Sequence, residues 1–393
     1  MVGTADGAGG EGEGVVRRLI AVIGVVACAS QGDPPGGPPD AVPPVLIGIA
    51  PESGAVNVRP DRVEFRFDEV VSERPSGATS LEQMVLISPT DGLPRVDWRR
   101  RSLAVRPRRG WKPNVVYTVT LLPGITDLRG NVLPTGASVT FATGATIPRT
   151  RIAGVMYDWV AGTIARGGAV NATSVSDSIV YVARADTAGR FVLPHLPPGA
   201  YTLIGWIDAN NNRDRDPRES YDSTAVTLTD SASVELLAFV HDTLPLRINA
   251  VQPIDSMTLR VELSQPLDPE QSVDTTLFRL TRPDSSAVPL RAVLTADAWD
   301  RARSDSLARA DTARRPPVRP AVPAARRDSV VLPRPVPVSR FVVLISVPLQ
   351  ADTSYRLVAV EARNLLKRAG TSARVFTMPA RAPADTTRRA PPP

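Results

Sequence analysis

The sequence predicts an all-β fold, and three observations support this prediction. Proline (39 residues) and glycine (27) are abundant, and aromatic residues make up only 5% of the chain, which suits short strands joined by many turns. Several segments alternate polar and apolar residues with the two-residue period of a half-buried strand. At 393 residues, 42% of them hydrophobic, the chain can form two or three domains. We expect two related β-sandwiches flanking a third, with disordered segments at both ends.

The N-terminus has the charge order of a secretory signal. Arg17–Arg18 precedes the apolar run Leu19–Ala27, which is too short for a permanent membrane-spanning helix. The only cysteine, Cys28, ends this run in a way that resembles the bacterial lipobox, which implies a lipoprotein signal peptide over 1–28 and lipidation of Cys28. The alternative is a lone buried thiol. Because Ala29 and not aspartate follows, the resemblance implies an anchor in the outer membrane.

The next hundred residues predict a β-sandwich behind a short tether. Residues 29–44 are rich in glycine and proline and predict an extended tether. Over 45–145 the chain is a series of short strands, of which Arg62–Asp68 places alternate apolar residues on one buried face. The apolar positions of the predicted strands are Val63, Phe65, Phe67, Val85, Ile87, Leu103, Val105, Tyr117, Val119, Leu121, Val139 and Phe141. This pattern suits an immunoglobulin-like sandwich without a disulfide.

The same segment resembles a specific family, the bacterial Ig-like domain of surface-layer (SbsA-type) proteins. The resemblance implies a structural or adhesive module without catalytic residues. The matching pieces, in family order, are Pro51–Gly54, Val63–Asp68, Leu103–Pro107, Pro113–Tyr117, Asp127–Asn131 and Phe141–Thr143.

A dense basic stretch lies inside this segment. Trp98–Trp111 contains six arginines between two tryptophans, a composition that can bind phosphates and stack on rings. The alternative, which we favour, is a β-hairpin with a charged outer face that discourages edge pairing. The net charge of +6 is set against 40 acidic residues, which favours a dispersed solvated surface over nucleic-acid binding. Phosphates of lipopolysaccharide remain an alternative partner.

The middle of the chain reads as strand, turn, strand and acidic loop. Gly189–Phe191, Leu196–Gly199 and Tyr201 resemble the G-x-F…L-P-x-G-x-Y signature of carboxypeptidase-regulatory-like, or prealbumin-like, β-sandwiches. The resemblance covers 151–242 and implies an accessory module without catalysis.

The acidic loop is the candidate site for specific chemistry. Its oxygen-bearing side chains occupy positions 1, 3, 5, 7, 9 and 12, the ligand spacing of an EF-hand calcium loop. They are Asp208, Asn210, Asn212, Asp214, Asp216 and Glu219. Arg213 replaces the usual glycine at position 6, and a strand precedes the loop, so we predict a structural calcium ion on a β-module. The alternative is a turn capped by its own side chains, with carboxylates neutralised by Arg213, Arg215 and Arg218.

Residues 246–378 look like a degenerate second copy of the first sandwich. Leu259, Val261 and Leu263 repeat its alternating strand, and Val375–Thr377 aligns with its closing Phe141–Thr143. The Asp-x-x-Gly-Asn turn has no counterpart. A low-complexity insertion occupies 296–340, with a short exposed helix predicted over 296–313 and disorder over 314–340. The strand Phe341–Val347 follows, and 379–393 predicts a disordered tail.

We predict that the chain is not an enzyme. The histidines are His195, in a proline-rich turn, and His241, and lipidation of Cys28 would leave no Cys–His pair. Motifs for a nucleophile elbow, a zinc-binding helix or a phosphate loop are absent from the sequence.

The predicted function is that of a cell-envelope lipoprotein that acts as a scaffold, presenting β-modules to an envelope protein or glycan. The alternatives are a substrate-binding component of a surface glycan- or peptide-processing system and a passive spacer. Exposed tryptophans would favour glycan binding and buried ones a scaffold. The tryptophans concerned are Trp98, Trp111, Trp159 and Trp206.

Overall fold

The computed structural model describes residues 40–312 and 332–380, without the side chains of 307–312. The predicted signal peptide with Cys28, the tether as far as residue 39, the insertion over 313–331 and the tail from 381 lie outside the described residues. The described residues from Val42 onward form one compact unit, and every element below belongs to it. The described residues are nearly all β, with 23 strands and one α-helix. The all-β prediction is confirmed.

The first module contains seven strands in two antiparallel sheets. Its sheet orders are β1-β2-β5-β4 and β3-β6-β7. The strands are β1 Leu46–Ala50, β2 Val63–Phe67, β3 Val85–Ser88, β4 Arg95–Trp98, β5 Ser102–Arg106, β6 Val116–Leu121 and β7 Ala137–Ala142. The twelve apolar positions predicted from the alternating pattern are all buried in the core between the two sheets. The basic stretch forms the hairpin β4–β5, and β4 is an edge strand.

The second module contains eight strands in two sheets, with orders β11-β10-β13-β14 and β12-β8-β15, and β9 beside β8. The strands are β8 Arg151–Asp158, β9 Thr163–Ile164, β10 Ala169–Ser174, β11 Val180–Arg184, β12 Arg190–Pro194, β13 Gly199–Trp206, β14 Tyr221–Leu228 and β15 Ser231–Ala238. Phe191, Leu196, Tyr201 and Leu203, from the predicted signature region, are buried in the core. The prealbumin-like assignment itself stays a prediction.

The third module repeats the strand order of the first and adds one strand, β19. Its sheets run β16-β17-β21-β20 and β19-β18-β22-β23. The elements are β16 Ile248–Asp255, β17 Thr258–Leu263, β18 Phe278–Thr281, β19 Ala287–Val288, β20 Leu290–Thr295, α1 Ala296–Thr312, β21 Arg340–Ile345, β22 Ser354–Arg363 and β23 Ala369–Thr377. Helix α1 occupies the start of the insertion, where its composition predicts a helix. No helix among the described residues has both the length and the apolar character needed to cross a membrane.

Two tyrosines show that the first and third modules correspond in detail. The Tyr117 hydroxyl accepts the N–H of Lys112 at 2.7 Å, and the Tyr355 hydroxyl accepts that of Gln350 at 2.9 Å. Tyr117 stacks on Phe141 at 5.8 Å, and Tyr355 stacks on Phe376 at 6.0 Å. Phe376 is thus the counterpart of Phe141, one residue from the motif alignment, which had placed Val375 there. Val375 is exposed because it faces outward on β23.

The third module contains the same turn as the first, although its sequence lacks the Asp-x-x-Gly-Asn motif. In the first module Asp127 Oδ1 accepts the N–H groups of Arg129 and Asn131, both at 2.8 Å. In the third, Asn364 Oδ1 accepts those of Leu366 and Arg368, both at 3.0 Å. Asparagine offers the same acceptor as aspartate, so the turn survives without its motif.

Candidate functional site

The acidic loop joins β13 to β14 and is closed at both ends by a carboxylate. Asp208 accepts the backbone N–H groups of Asn212 at 3.1 Å and Arg213 at 3.0 Å. Glu219, which is buried, accepts those of Ala209 and Asp216, both at 2.9 Å. These bonds hold the loop as one turn structure, because the two side chains satisfy amides that no strand partner reaches.

The other predicted ligands also bond within the loop. The Oδ1 atoms of Asn210 and Asn212 accept backbone N–H groups two residues ahead, at 3.0 and 2.8 Å. The amide groups of both asparagines donate to Asp216 Oδ2, at 2.7 and 3.4 Å. Asp214 is exposed and faces a neighbouring cleft.

This arrangement corresponds to the capped turn that was the alternative to a metal site. Calcium takes six to eight oxygen ligands, and here most of the candidate oxygens already accept an N–H group. No three of the loop's carboxylates bring oxygens within 4.8 Å of one another. A carboxylate has about four lone-pair positions, so a carboxylate that accepts an N–H group can also coordinate an ion. The calcium site stays a prediction.

The loop arginines form no ion pairs with the loop carboxylates, whereas the capped-turn alternative had them neutralise these groups. Among the described residues, none of Arg213, Arg215 and Arg218 lies within 4.0 Å of a carboxylate oxygen of the loop. Arg215 instead lies over the ring of Tyr221, 4.3 Å from its centroid. Arg213 points out of its own module.

Arg213 binds the backbone of the first module. Its Nη1 donates to Val85 O at 2.7 Å, and its Nη2 donates to Gln83 O. Burial, followed by the positive charge of Arg184, lowers the pKa of Arg213 to about 10, and Asp208 partly offsets this. The guanidinium is therefore still charged at neutral pH. Arg213 has a backbone φ of +68° at the position that glycine occupies in a calcium loop.

Asn211 adds three hydrogen bonds beside Arg213. Its Oδ1 accepts from Arg184 Nη1 at 3.0 Å, its carbonyl accepts from Gln83 Nε2 at 3.0 Å, and its Nδ2 donates to Gly77 O at 3.3 Å. We call Asn211 and Arg213, with their partners Gln83 and Val85, the clasp. Sequence reasoning missed the clasp because its partners are 128 to 130 residues apart in the chain.

A cleft of about 370 Å³ lies between the acidic loop and the first module. Its floor is the outer face of β10, β11 and β13, including Asn171, Arg184 and the buried Trp206. The indole N–H of Trp206 has no hydrogen-bond partner among the described residues. Leu93 and Arg108 of the first module line the opposite wall.

The tryptophans do not form an exposed platform. Trp159 and Trp206 are buried, and Trp98 and Trp111 are half-buried against the first core. Every Trp, Tyr and Phe of the chain lies within the described residues and is buried or half-buried. Trp159 and Trp206 thus meet the criterion for a scaffold, and the half-buried Trp98 and Trp111 meet neither criterion.

The two histidines also have structural surroundings. His195, with φ +61°, has its Nδ1 2.6 Å from Pro148 O, as expected of a turn residue. His241 packs on Tyr221 and Phe239, with ring centroids 3.7 and 4.2 Å apart. Burial lowers the pKa of His241, opposed by Asp222.

Residues 40–143 match the family model of the bacterial Ig-like domain. The match covers the first module, where the sequence motifs resemble that family. No curated protein matches the chain. Among solved structures, surface layer protein SbsC (domains 1–6) is 9% identical over 88% of this chain and 55% of that chain, with a TM-score of 0.20. A structure of alpha-2-macroglobulin from Escherichia coli is 11% identical over 63% of this chain and 86% of that one, with a TM-score of 0.20. This chain thus spans about half the length of the SbsC structure.

Proposed function

We propose that the chain is a cell-envelope lipoprotein, anchored by lipid on Cys28, whose β-modules act as a structural and binding scaffold. Its place would be the outer membrane or cell surface, and its role would not be catalytic. The scaffold role is supported by side chains that join the modules to one another and by the burial of the aromatic residues. Arg213, Asn211 and Trp159 make contacts between modules, and the aromatic side chains are buried or half-buried.

Metabolic labelling with a fatty acid tests the anchor. The unaltered chain is expected to take up label and to fractionate with membranes. Cys28→Ser should lose both properties, because only a thiol can carry the thioether-linked lipid. Ala29→Ser is the matched control and should keep the label. A soluble, unlabelled wild-type chain would refute the anchor.

Structural calcium at the acidic loop is a separate part of the proposal. Oxygen ligands at alternate positions support it, and the hydrogen bonds within the loop oppose it. A ligand that binds only the folded state raises its stability, so calcium should raise the melting temperature of the wild-type chain. Asp208→Asn is the appropriate variant because it removes a charge but keeps one acceptor for the loop amides. No shift at millimolar calcium would leave the loop as a capped turn.

The second candidate is a substrate-binding component of a glycan- or peptide-processing system, and the cleft beside the loop favours it. A cleft of about 370 Å³ has the size of a small-molecule site. Calorimetric titration with soluble glycan fragments and short peptides tests this role. Binding that Asn171→Ala abolishes, with an unchanged melting temperature, would support it over the scaffold.

A further inference from the structure

The positive charge of the chain is concentrated in one hairpin of the first module. Residues 95–109 contain seven arginines and one aspartate, a formal charge of +6, which equals the net charge of all 393 residues. The rest of the chain is therefore neutral overall. The dispersed arrangement of charge that the composition favoured does not hold for this hairpin.

Two of these arginines face each other across the hairpin. Arg95 on β4 is directly opposite Arg106 on β5, and like charges in such a pair are destabilising. Arg106 reaches Asp97 at 3.9 Å, but both side chains are about half exposed, so this ion pair offsets little of the repulsion. Arg95 has no ion pair with a described residue. The hairpin thus keeps an unfavourable pair of positive charges.

The pair lines a groove with further arginines. Arg59, Arg95, Arg106 and Arg108 surround a volume of about 350 Å³, and Asp61 is the one acidic residue in its lining. Arg108 is held by a bond from its Nε to Leu93 O at 2.8 Å. This bond leaves both Nη groups of Arg108 available, since no described residue accepts from them. Four guanidinium groups surround the groove, with Asp61 in its lining and Asp97 beside Arg106, so the groove keeps an excess of positive charge.

Edge protection does not explain the whole arrangement. Charges on β4, the edge strand, would discourage pairing with another chain, and this accounts for Arg95 and Asp97. However, β5 lies inside the sheet, so Arg106 guards no edge. Charges of alternating sign would protect the edge without the repulsion between Arg95 and Arg106.

We propose that this groove, with the exposed turn Arg99–Arg101, binds the phosphate groups of anionic lipid headgroups at a membrane surface. A guanidinium group binds two oxygens of one phosphate through two parallel hydrogen bonds. The turn lies four residues beyond Arg95, about 13 Å along the strand, so the arginines fit an array of phosphates better than a single small anion. The choice of a membrane rests on the proposed lipid anchor, which would hold the first module beside a bilayer.

Vesicle sedimentation tests the proposal on the mature chain, residues 28–393, with Cys28→Ser so that no lipid contributes. The chain should bind phosphatidylglycerol-containing vesicles and not vesicles of phosphatidylcholine alone. A basic residue near an anionic surface contributes about fivefold to binding, so Arg95→Gln/Arg106→Gln should weaken binding on the order of 25-fold. Arg279→Gln/Arg356→Gln is the matched control, since it removes two exposed strand arginines from the third module, and it should change binding little.

The melting temperature gives a second measurement on the same proteins. Arg95→Gln should unfold at the same or a higher temperature than the wild type, because it removes the repulsion. Equal losses in the two double variants, or no binding to anionic vesicles, would overturn the proposal. Stronger binding to a short DNA duplex than to the vesicles would also overturn it in favour of nucleic acid. Displacement of the chain from the vesicles by inorganic phosphate, but not by chloride at the same ionic strength, would show that the groove binds one free phosphate and not a membrane surface. None of these results bears on Cys28, because the tested chain carries no lipid.

Discussion

One side-chain oxygen closes the same five-residue turn in each of the three modules. Asp127, Asp186 and Asn364 each accept the backbone N–H groups two and four residues ahead through Oδ1. The residue at the fourth position has a positive φ, which glycine adopts without strain. These residues are Gly130 (φ +91°), Gly189 (φ +73°) and Lys367 (φ +60°). The third module therefore holds a lysine where the other two hold glycine.

Lys367→Gly should stabilise the chain relative to Lys367→Ala. Both variants lose the contact from Lys367 Nζ to Glu270 Oε2 at 2.6 Å, so that contact cancels in the comparison. Only the glycine variant relieves the left-handed backbone, which costs other residues about 1–2 kcal/mol. Denaturant unfolding of the two variants measures the difference. Equal stability would show that the turn holds lysine without strain.

The matched test at Gly130 runs in the opposite direction. A Cβ at Gly130 meets no atom within 4 Å, so Gly130→Ala isolates the backbone cost, which should also be about 1 kcal/mol. A Cβ at Gly189 would lie 2.5 Å from Ile164 and 2.7 Å from Met156 O, so Gly189→Ala should cost more. The same unfolding measurement ranks the two variants, and the reverse order would contradict this account.

At the scale of strands, the two-residue period of apolar residues was sufficient to predict which residues form the core of the first module. Val63, Phe65 and Phe67 were predicted on one face and are buried there, because a half-buried strand has a strict two-residue period. The period alone did not predict the register of β23, that is, which of its residues corresponds to Phe141. The aligned position Val375 is exposed and Phe376 is buried, a one-residue slip that moves a side chain to the other face. Turns were less predictable, because Asn364 replaces Asp127 without any shared motif.

Asn364 also shows how a turn can hold a linker between modules. Its Nδ2 donates to Asp242 O at 3.0 Å and Leu244 O at 3.1 Å, in the segment between β15 and β16. An ionised aspartate at this position could close the turn but could not donate. The asparagine therefore couples the third module to the chain that enters it.

Asn364→Asp should destabilise the chain by about 2–3 kcal/mol or more, because a buried charged group would face two carbonyl oxygens. Burial would raise the pKa of the new carboxyl. Its protonated form can still donate, so the loss should be largest at neutral pH and smaller in acid. Asp186→Asn, in the exposed turn of the second module, is the control and should cost much less. Unfolding at several pH values measures both, and a loss independent of pH would contradict the mechanism.

At the scale of the whole molecule, the all-β architecture was predictable and the junctions between modules were not. Each module has its own strand pattern, which a sequence displays locally. The junctions join residues far apart in the chain, such as Trp159, whose Nε1 donates to Pro335 O at 2.9 Å across 176 positions. The acidic loop is the clearest case, because its spacing predicted an ion while Arg213 and Asn211 contact the first module.

The clasp should fix the first two modules relative to each other, and Arg213→Lys tests this. Lysine keeps the charge but cannot donate to Val85 O and Gln83 O in the planar, two-pronged manner of a guanidinium. A buried acceptor left without a donor costs about 1–3 kcal/mol. We therefore expect faster amide exchange in β3 and β11, which meet at this junction, where the N–H of Val182 donates to Ser88 Oγ at 3.0 Å.

Small-angle X-ray scattering provides the second readout, since a loosened junction broadens the distribution of interatomic distances. The control is Arg218→Lys, an exposed arginine of the same loop, which should change neither measurement. Exchange confined to the acidic loop, with β3 and β11 unaffected, would mean that the clasp only orders its own loop. Faster exchange on both sides of the junction would show that Arg213 joins the acidic loop to the first module.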